Sequence, residues 1–423
     1  MKKLAFLVFL AALAPVAFAE TPVTIAQLET ILVSQRNQTD AKAAKLISSL
    51  ELTERASTAR LVRWEKEFPG KQTQDALLGL ADASAFLDPP KSEIPQIADL
   101  DATKQDELLA SLDDYAKAVV GKLPNFIVRR DTTLFDDLSS FQQFYNKKLE
   151  GQVYGDSSRI SRPEQPGPLR VAERTTRMVA YRDGQEISSP YEEKGKGVLP
   201  SFDVANIGRQ IGESSLNPVI VERNVLTPSG EFGPVLATVV GDALRCQISW
   251  DHWEQGANGP VAIFRYAVLR ERSHYSFDFG AGDGTQFPAY HGEVETDSNS
   301  GLRSNPSYAP GAADATQFPA YHGEIAVDPE NGAVFRLTVV PDLHSTAFVH
   351  IAILVEYDRV VLGKDTRICP QRSVALSTLP ERPVQVGTSR DAPQAILIEP
   401  RERVSDVAFT GYSQISGSTD VKH

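Results

Sequence analysis

The sequence predicts an α+β protein: an N-terminal helical region, then a curved antiparallel β-sheet, a half-barrel with one or two helices in its concavity. Three observations carry this. Apolar residues recur at helical spacing up to about residue 98, and again over residues 103–120. From Phe126 onward, short alternating runs are separated by Gly, Pro, Asn and Asp. Strand–turn–strand signals then follow one another, with a single helical interruption near Phe232–Val240.

The chain opens on Lys2 and Lys3, an apolar run from Leu4 to Ala14, and the small-x-small triplet Ala17-Phe18-Ala19. This is the pattern of a secretory signal peptide over residues 1–19, with cleavage between Ala19 and Glu20. The apolar run is short for a membrane span, and Pro15 interrupts it. The protein is therefore expected in the periplasm or medium, with no transmembrane segment in the mature chain. Mass spectrometry of those fractions should find a mature N-terminus at Glu20. Finding mainly the full-length chain in the cytoplasm would contradict export.

Residues 20–98 read as a helical region. Thr24 caps a first helix carrying Ile25, Leu28, Ile31 and Leu32. Asp40 opens a second, with Ala43, Leu46 and Ile47. A third is expected from Thr53 through Trp64, stopped by Pro69-Gly70, and a fourth from Thr73 to Phe86. Residues 99–423 read as the half-barrel domain. Its leading helix runs from Thr103 to Val120 and feeds a strand from Phe126 to Phe135. Val171–Tyr181 turns at Asp183-Gly184. Strands are expected at Cys246–Trp253, Val261–Val268, His274–Phe279, His350–Tyr357, Thr366–Leu376 and Val404–Tyr412. Glu324–Val327 and Ala333–Val340 flank Asp328-Pro329-Glu330-Asn331-Gly332, the clearest hairpin in the chain. Residues 380–400 read as a Pro-rich loop.

The formal charge of −12 becomes more negative once Lys2 and Lys3 are removed. Such a balance disfavours binding to nucleic acid, which needs a basic face. The two cysteines, Cys246 and Cys369, are a disulfide candidate in an oxidising compartment; two buried thiols are the alternative.

The nonapeptide Thr-Gln-Phe-Pro-Ala-Tyr-His-Gly-Glu occurs at 285–293 and at 316–324. Extended over 280–301 and 311–332, the two copies share 14 of 22 positions. Two units are too few for a solenoid. The second copy runs into a strong strand, the first into Asp297-Ser298-Asn299-Ser300-Gly301. Residues 280–310 therefore read as a duplicated surface insertion, with a paired binding feature as the alternative.

Catalytic patterns fail on inspection. Gly212-Glu213-Ser214-Ser215-Leu216 lacks the second glycine of a nucleophile elbow, and no phosphate-binding glycine loop follows a strand. His322 with Glu324, and His291 with Glu293, would share a strand face, but two ligands make an incomplete metal site. No catalytic residue, metal or cofactor is expected. The remaining candidates are Trp250, His252 and Trp253, aromatics with polar handles that suit a ligand wall or an ordinary core. Strict alternation puts Ile248, Trp250 and His252 on one face and Trp253 on the other.

Leu123-Pro124-Asn125-Phe126, Gly230-Glu231-Phe232-Gly233, Trp250–Trp253, Tyr321–Asp328 and Tyr357–Pro370 resemble a family of uncharacterised exported proteins of soil bacteria. The order and rhythm of the β region also resemble the LolA/RseB-type half-barrel of periplasmic lipoprotein carriers and envelope-stress sensors. The shared features are a leading helix, a first strand, successive hairpins and a last strand at Val404–Tyr412. The resemblance implies a non-enzymatic envelope module that holds an apolar ligand, lipid or lipoprotein. A protein-interaction or sensing module is the rival reading, and an enzyme of unknown class the third.

Overall fold

The computed structural model describes residues 21–137, 168–182, 185–189, 219–222, 225–228, 231–278, 291–295, 303–307, 316–342, 349–379, 382–386, 394–398 and 401–415. The signal peptide and its cleavage point at Ala19 and Glu20 lie outside these residues, as does Gly212–Leu216.

The helical region begins with β1 (Thr21–Val23), α1 (Ile25–Gln35) and α2 (Asp40–Ile47), followed by β2 (Leu50–Leu52), α3 (Thr58–Glu67) and α4 (Lys71–Ala83). Thr24 caps α1 reciprocally: the Gln27 N–H donates to Thr24 Oγ1 at 3.3 Å, and Gln27 Oε1 accepts from the Thr24 N–H at 2.8 Å. The third helix starts five residues later than its apolar pattern suggests. Leu50 and Leu52 are buried about an exposed Glu51, a period-2 pattern, and β2 pairs in parallel with β1. Asp40 caps α4 from outside that helix, accepting from the Thr73 N–H at 2.9 Å and the Gln72 N–H at 3.1 Å. Gly70 allows this approach, because a Cβ there would collide with the Asp40 side chain. Leu28, Ile47, Trp64 and Leu77 anchor a core belonging to this region alone.

The sheet region opens with α5 (Ala102–Lys122), capped by Asp101, whose carboxylate accepts from the Lys104 N–H at 2.9 Å. Strands β3 (Phe126–Asp136), β4 (Arg170–Arg182), β5 (Gln185–Ser189), β6 (Val219–Glu222) and β7 (Val225–Pro228) precede α6 (Pro234–Arg245). Then come β8 (Gln247–Gly256), β9 (Gly259–Val268), β10 (Phe277–Asp278), β11 (His291–Glu295), β12 (Arg303–Ser307), β13 (Thr316–Gln317), β14 (Tyr321–Val327) and β15 (Val334–Pro341). The last are β16 (His350–Leu362), β17 (Asp365–Leu379), β18 (Arg382–Val386), β19 (Gln394–Ile398) and β20 (Arg401–Gln414).

Ten strands form one antiparallel sheet in the order β5-β4-β3-β20-β17-β16-β15-β14-β9-β8. Its ends do not meet, so the barrel is open and the fold is α+β. The final strand inserts beside the first, β20 against β3, which gives the sheet its long-range closure. Residues 380–400 are not simply loop, since β18 and β19 pair with each other there.

Each face of the sheet has a different cover. On the concave face, Leu108, Leu112 and Ala116 of α5 and Val235, Leu236, Val239 and Val240 of α6 meet the inward residues of β9 and β14–β17. At the β3–β20 end the same face continues as Phe126, Tyr181, Phe232 and Phe409, with rings 5.1–6.0 Å apart. The opposite face receives the helical region. Ala85, Leu78 and Phe86 pack on Phe135, Leu354, Val374 and Leu376.

Among the described residues, the part of the first repeat copy in β11 is not in this sheet. This strand pairs with β12, a return strand that the sequence did not reveal, in a separate hairpin. On either side of the excursion, Asp278 of β10 and Thr316 of β13 are direct pairing partners. Deleting residues 280–310 would leave Phe279 and residues 311–315 as the turn between them. Loop-closure entropy favours the shorter connection slightly. The deletion should fold, with stability changed by no more than about 1–2 kcal/mol in urea denaturation. Insoluble deletion protein would instead make the first copy a structural unit.

Candidate functional site

Trp250, His252 and Trp253 are divided by a β-bulge. In the β8–β9 pairing Trp250 faces Phe264 and His252 faces Ile263, so Asp251 is the extra residue. The bulge overturns strict alternation. Both tryptophans turn to the concave core, with rings 5.1 Å apart at 68°. Trp253 is buried there, and its indole N–H donates to the Ala98 carbonyl at 2.9 Å. His252 turns to the opposite face, under the helical region.

On that opposite face His252 joins a network that the sequence reading missed. Its Nδ1 lies 2.6 Å from Asp251 and its Nε2 3.1 Å from Glu254. The Glu254 carboxylate is buried and accepts from Arg336 through both oxygens, at 2.7 and 3.0 Å. Arg55, buried in the segment before α3, reaches the same carboxylate at 2.6 Å. Glu324 borders the network, 3.4 Å from Arg336 and 3.9 Å from Arg55. Burial alone would raise the Glu254 pKa. The Arg336 charge, the His252 hydrogen bond and Arg55 outweigh it and hold the carboxyl well below the usual range. The bond to Glu254, opposed by partial burial, raises the His252 pKa.

Farther along the same face, Arg372 forms a second node. It donates to Asp406 at 2.7 Å, to Thr58 Oγ1 at 3.0 Å, and to Asp82 of α4. Thr58 donates to Glu356, which is the cross-strand neighbour of both Arg336 and Arg372. Charges therefore alternate in sign across the sheet: Glu254, Arg336, Glu356, Arg372, Asp406. The helical region adds Arg55 at one end and Asp82 at the other. Asp82 is fully buried, and among the described residues its Oδ2 has no hydrogen-bond partner. Burial raises its pKa well above normal; the Arg372 charge opposes this and Asp406 adds to it.

These residues leave a trace in the sequence that only pairing can interpret. Arg336 is the single charge of its strand, and Glu356 and Asp406 interrupt apolar runs in theirs, a pattern that reads as an exposed face until a second element is known to cover it.

The cysteines are not paired. Cys246 and Cys369 are free thiols. Cys246 follows α6 and leads into the edge strand β8, while Cys369 lies on β17, with four strands between β17 and β8. At about 4.8 Å per strand, that exceeds the roughly 7 Å a disulfide spans. Burial pushes the Cys369 thiol up to about 12. Alkylation without reductant should spare Cys369 in the folded protein and label both thiols once it is unfolded. A thiol that stays unlabelled in denaturant until reduced would contradict this.

In the second repeat copy, Tyr321 points inward and donates to Asp242 of α6 at 2.8 Å. Asp242 also accepts from the His274 backbone N–H and lies 2.7 Å from its Nδ1, which ties α6 to the chain after β9. His322 and Glu324 share the opposite face without forming a ligand set. Among the described residues no group of three or more His, Cys, Asp or Glu side chains could hold a metal.

Beneath α5 and α6, Tyr115 Oη, Tyr357 Oη and Glu231 Oε2 are buried without hydrogen-bond partners among the described residues. The other Glu231 oxygen is 3.5 Å from the buried Arg130. Burial raises the Tyr115 and Tyr357 pKa values, so both remain hydroxyl donors. Two pockets of about 140 and 160 Å³ lie elsewhere: one between α2, β2 and α4, the other beside Phe135, Ala375 and Val404. No helix among the described residues is long and apolar enough to cross a membrane. No protein-family model matches the chain, and no curated protein or solved structure matches it either.

Proposed function

We propose that the protein is an exported, non-enzymatic binding module of the cell envelope. It holds an amphiphilic ligand, an acyl chain with a polar end, on the concave face beneath α5 and α6. The observation that carries this reading is the set of unpartnered buried polar atoms there. Two tyrosine hydroxyls and a carboxylate oxygen sit in an otherwise apolar core, where leaving each unsatisfied costs about 1–3 kcal/mol. A ligand head that accepts from Tyr115 and Tyr357 and donates to Glu231 would relieve all three. Its chain would run beneath α5 and α6 against Tyr266, Ile325 and Ile353. The likeness in order of elements to lipoprotein-carrier half-barrels supports the same use of the concavity.

The protein made with its signal peptide should be extracted with organic solvent and the extract examined by mass spectrometry. Wild type should carry lipid in near-stoichiometric amount, and the double variant Tyr115→Phe, Tyr357→Phe much less. Lipid-free wild type that also fails to bind a fluorescent fatty acid would overturn the reading. A second reading, a sensing module, is favoured by the separately cored helical region docked through ions.

A further inference from the structure

The boundary between the helical region and the sheet is built for a change of charge state. One guanidinium, Arg372, serves three carboxyl groups: Asp82 and Asp406 directly, and Glu356 through Thr58. Arg336 and Arg55 are already engaged by Glu254. Asp75 of α4 is held by Arg174 of β4 at 2.5 Å. Glu65 of α3 faces the same node and adds a fourth acid, its pKa raised by burial. Three ionised carboxylates on one cation in a dry interface repel one another strongly. Moreover, Asp82 Oδ2 is buried with no hydrogen-bond partner among the described residues, and a neutral carboxyl is far less costly to leave so placed than a carboxylate.

We propose that the helical region is a proton-latched cap on the sheet: a proton held at the Asp82–Arg372–Asp406 node fastens it, and loss of that proton as pH rises releases it. The parts allow release without unfolding. The helical region has its own core, and Pro89, Pro90 and Pro95 mark the segment that joins it to α5. The cap contributes Asp82, Thr58, Arg55, Glu65 and Asp75 to the boundary, and the sheet contributes their partners Arg372, Asp406, Glu356, Glu254, Arg336 and Arg174.

The sign follows from linkage. Asp82, Asp406 and Glu65 have raised pKa values when docked, so their contribution is complete below the ordinary carboxyl value and is lost as pH rises through the raised ones. The raised His252 acts in the same direction. Glu254, held low by its arginines, acts oppositely, contributing above its ordinary value and failing only in strong acid. Docking is therefore tightest in mild acid and loosens as pH rises through the raised values. The latch is independent of any ligand on the concave face.

Small-angle scattering of the full mature protein from about pH 6 to about pH 10 reads the release. Wild type should expand over a defined pH interval while its circular dichroism stays constant. Asp82→Asn keeps the shape and the oxygen that Arg372 binds but cannot ionise, so it should stay compact throughout. Should that variant not fold, Asp406→Asn is the same test from the sheet side. Infrared spectra of wild type should show a protonated-carboxyl stretch that disappears over the same interval. Constant wild-type dimensions, unchanged expansion in the asparagine variant, or absence of the protonated-carboxyl band would each overturn the proposal.

Discussion

Glu254→Ala should be among the most damaging single substitutions in the chain, lowering stability by about 3–5 kcal/mol. Three groups converge on this carboxylate: Arg336 through two hydrogen bonds, Arg55 through one, and His252. Removing it leaves two buried guanidinium groups facing each other, with Glu324 near both and Glu356 across the strand from Arg336. The loss comes mainly from those stranded charges, not from any large net worth of the intact pair, since taking ions out of water offsets most of their attraction. That distinction is testable. Replacing Arg55, Glu254 and Arg336 together by Met, Leu and Met removes every charge of this node except the rim. The triple variant should lie within about 1–2 kcal/mol of wild type in urea denaturation, far above the single variant. A triple variant as unstable as Glu254→Ala would show that the ions hold the cap by direct attraction.

The same node shows why the site was only partly legible. β14 and β15 are rich in apolar and β-branched residues, and Asp328, Asn331 and Gly332 between them have the turn chemistry of a hairpin, so that unit could be read directly. Thr24 with Gln27 likewise announces the start of α1. The bulge at Asp251 has no such signature. One extra residue exchanged the faces of His252 and Trp253, so the aromatic candidates became core and the histidine became part of an ion network. Arg55 and Asp82 acquire meaning only through contacts with residues 199 and 290 positions away, and helical periodicity carries no information at that range. The cysteine pairing failed for a similar reason. Two cysteines in an oxidising compartment form a bridge only if the strand order brings them together, and here four strands lie between β17 and β8.

The other large effect is expected at Gly332, which joins the best-defined hairpin to the helix covering the concave face. Its φ of 73° lies in the left-handed region, where a Cβ costs roughly 1–2 kcal/mol. The turn around it is rigid. The Asp328 N–H donates to the Ala333 carbonyl at 2.8 Å, the Gly332 N–H to the Asp328 carbonyl at 2.9 Å, and the Asp328 side chain accepts from the Glu330 N–H at 2.9 Å. Arg359 of β16 fixes Asp328 from the side at 3.0 Å. An alanine Cβ at 332 would lie 2.6 Å from the Leu112 nitrogen and against the Ser111 carbonyl, so the turn and the α5 backbone are in direct contact. Neither can yield by rotating a side chain. Overpacking of this kind adds about 1–3 kcal/mol. Gly332→Ala should therefore cost about 2–5 kcal/mol in total. Two other left-handed glycines calibrate the expectation. Gly411, at 66°, has nothing within 4 Å of its missing Cβ, so alanine there should show the conformational cost alone. Gly363, at 65°, meets only the end of the Gln414 side chain, which can swing aside, so alanine there should cost little more. Urea denaturation of the three variants should rank Gly332 well apart from the other two. Because α5 carries Leu108, Leu112 and Ala116 into the concave core, Gly332→Ala should also increase binding of an apolar dye to the native protein. Equal costs at all three glycines would mean that α5 does not rest on the hairpin turn.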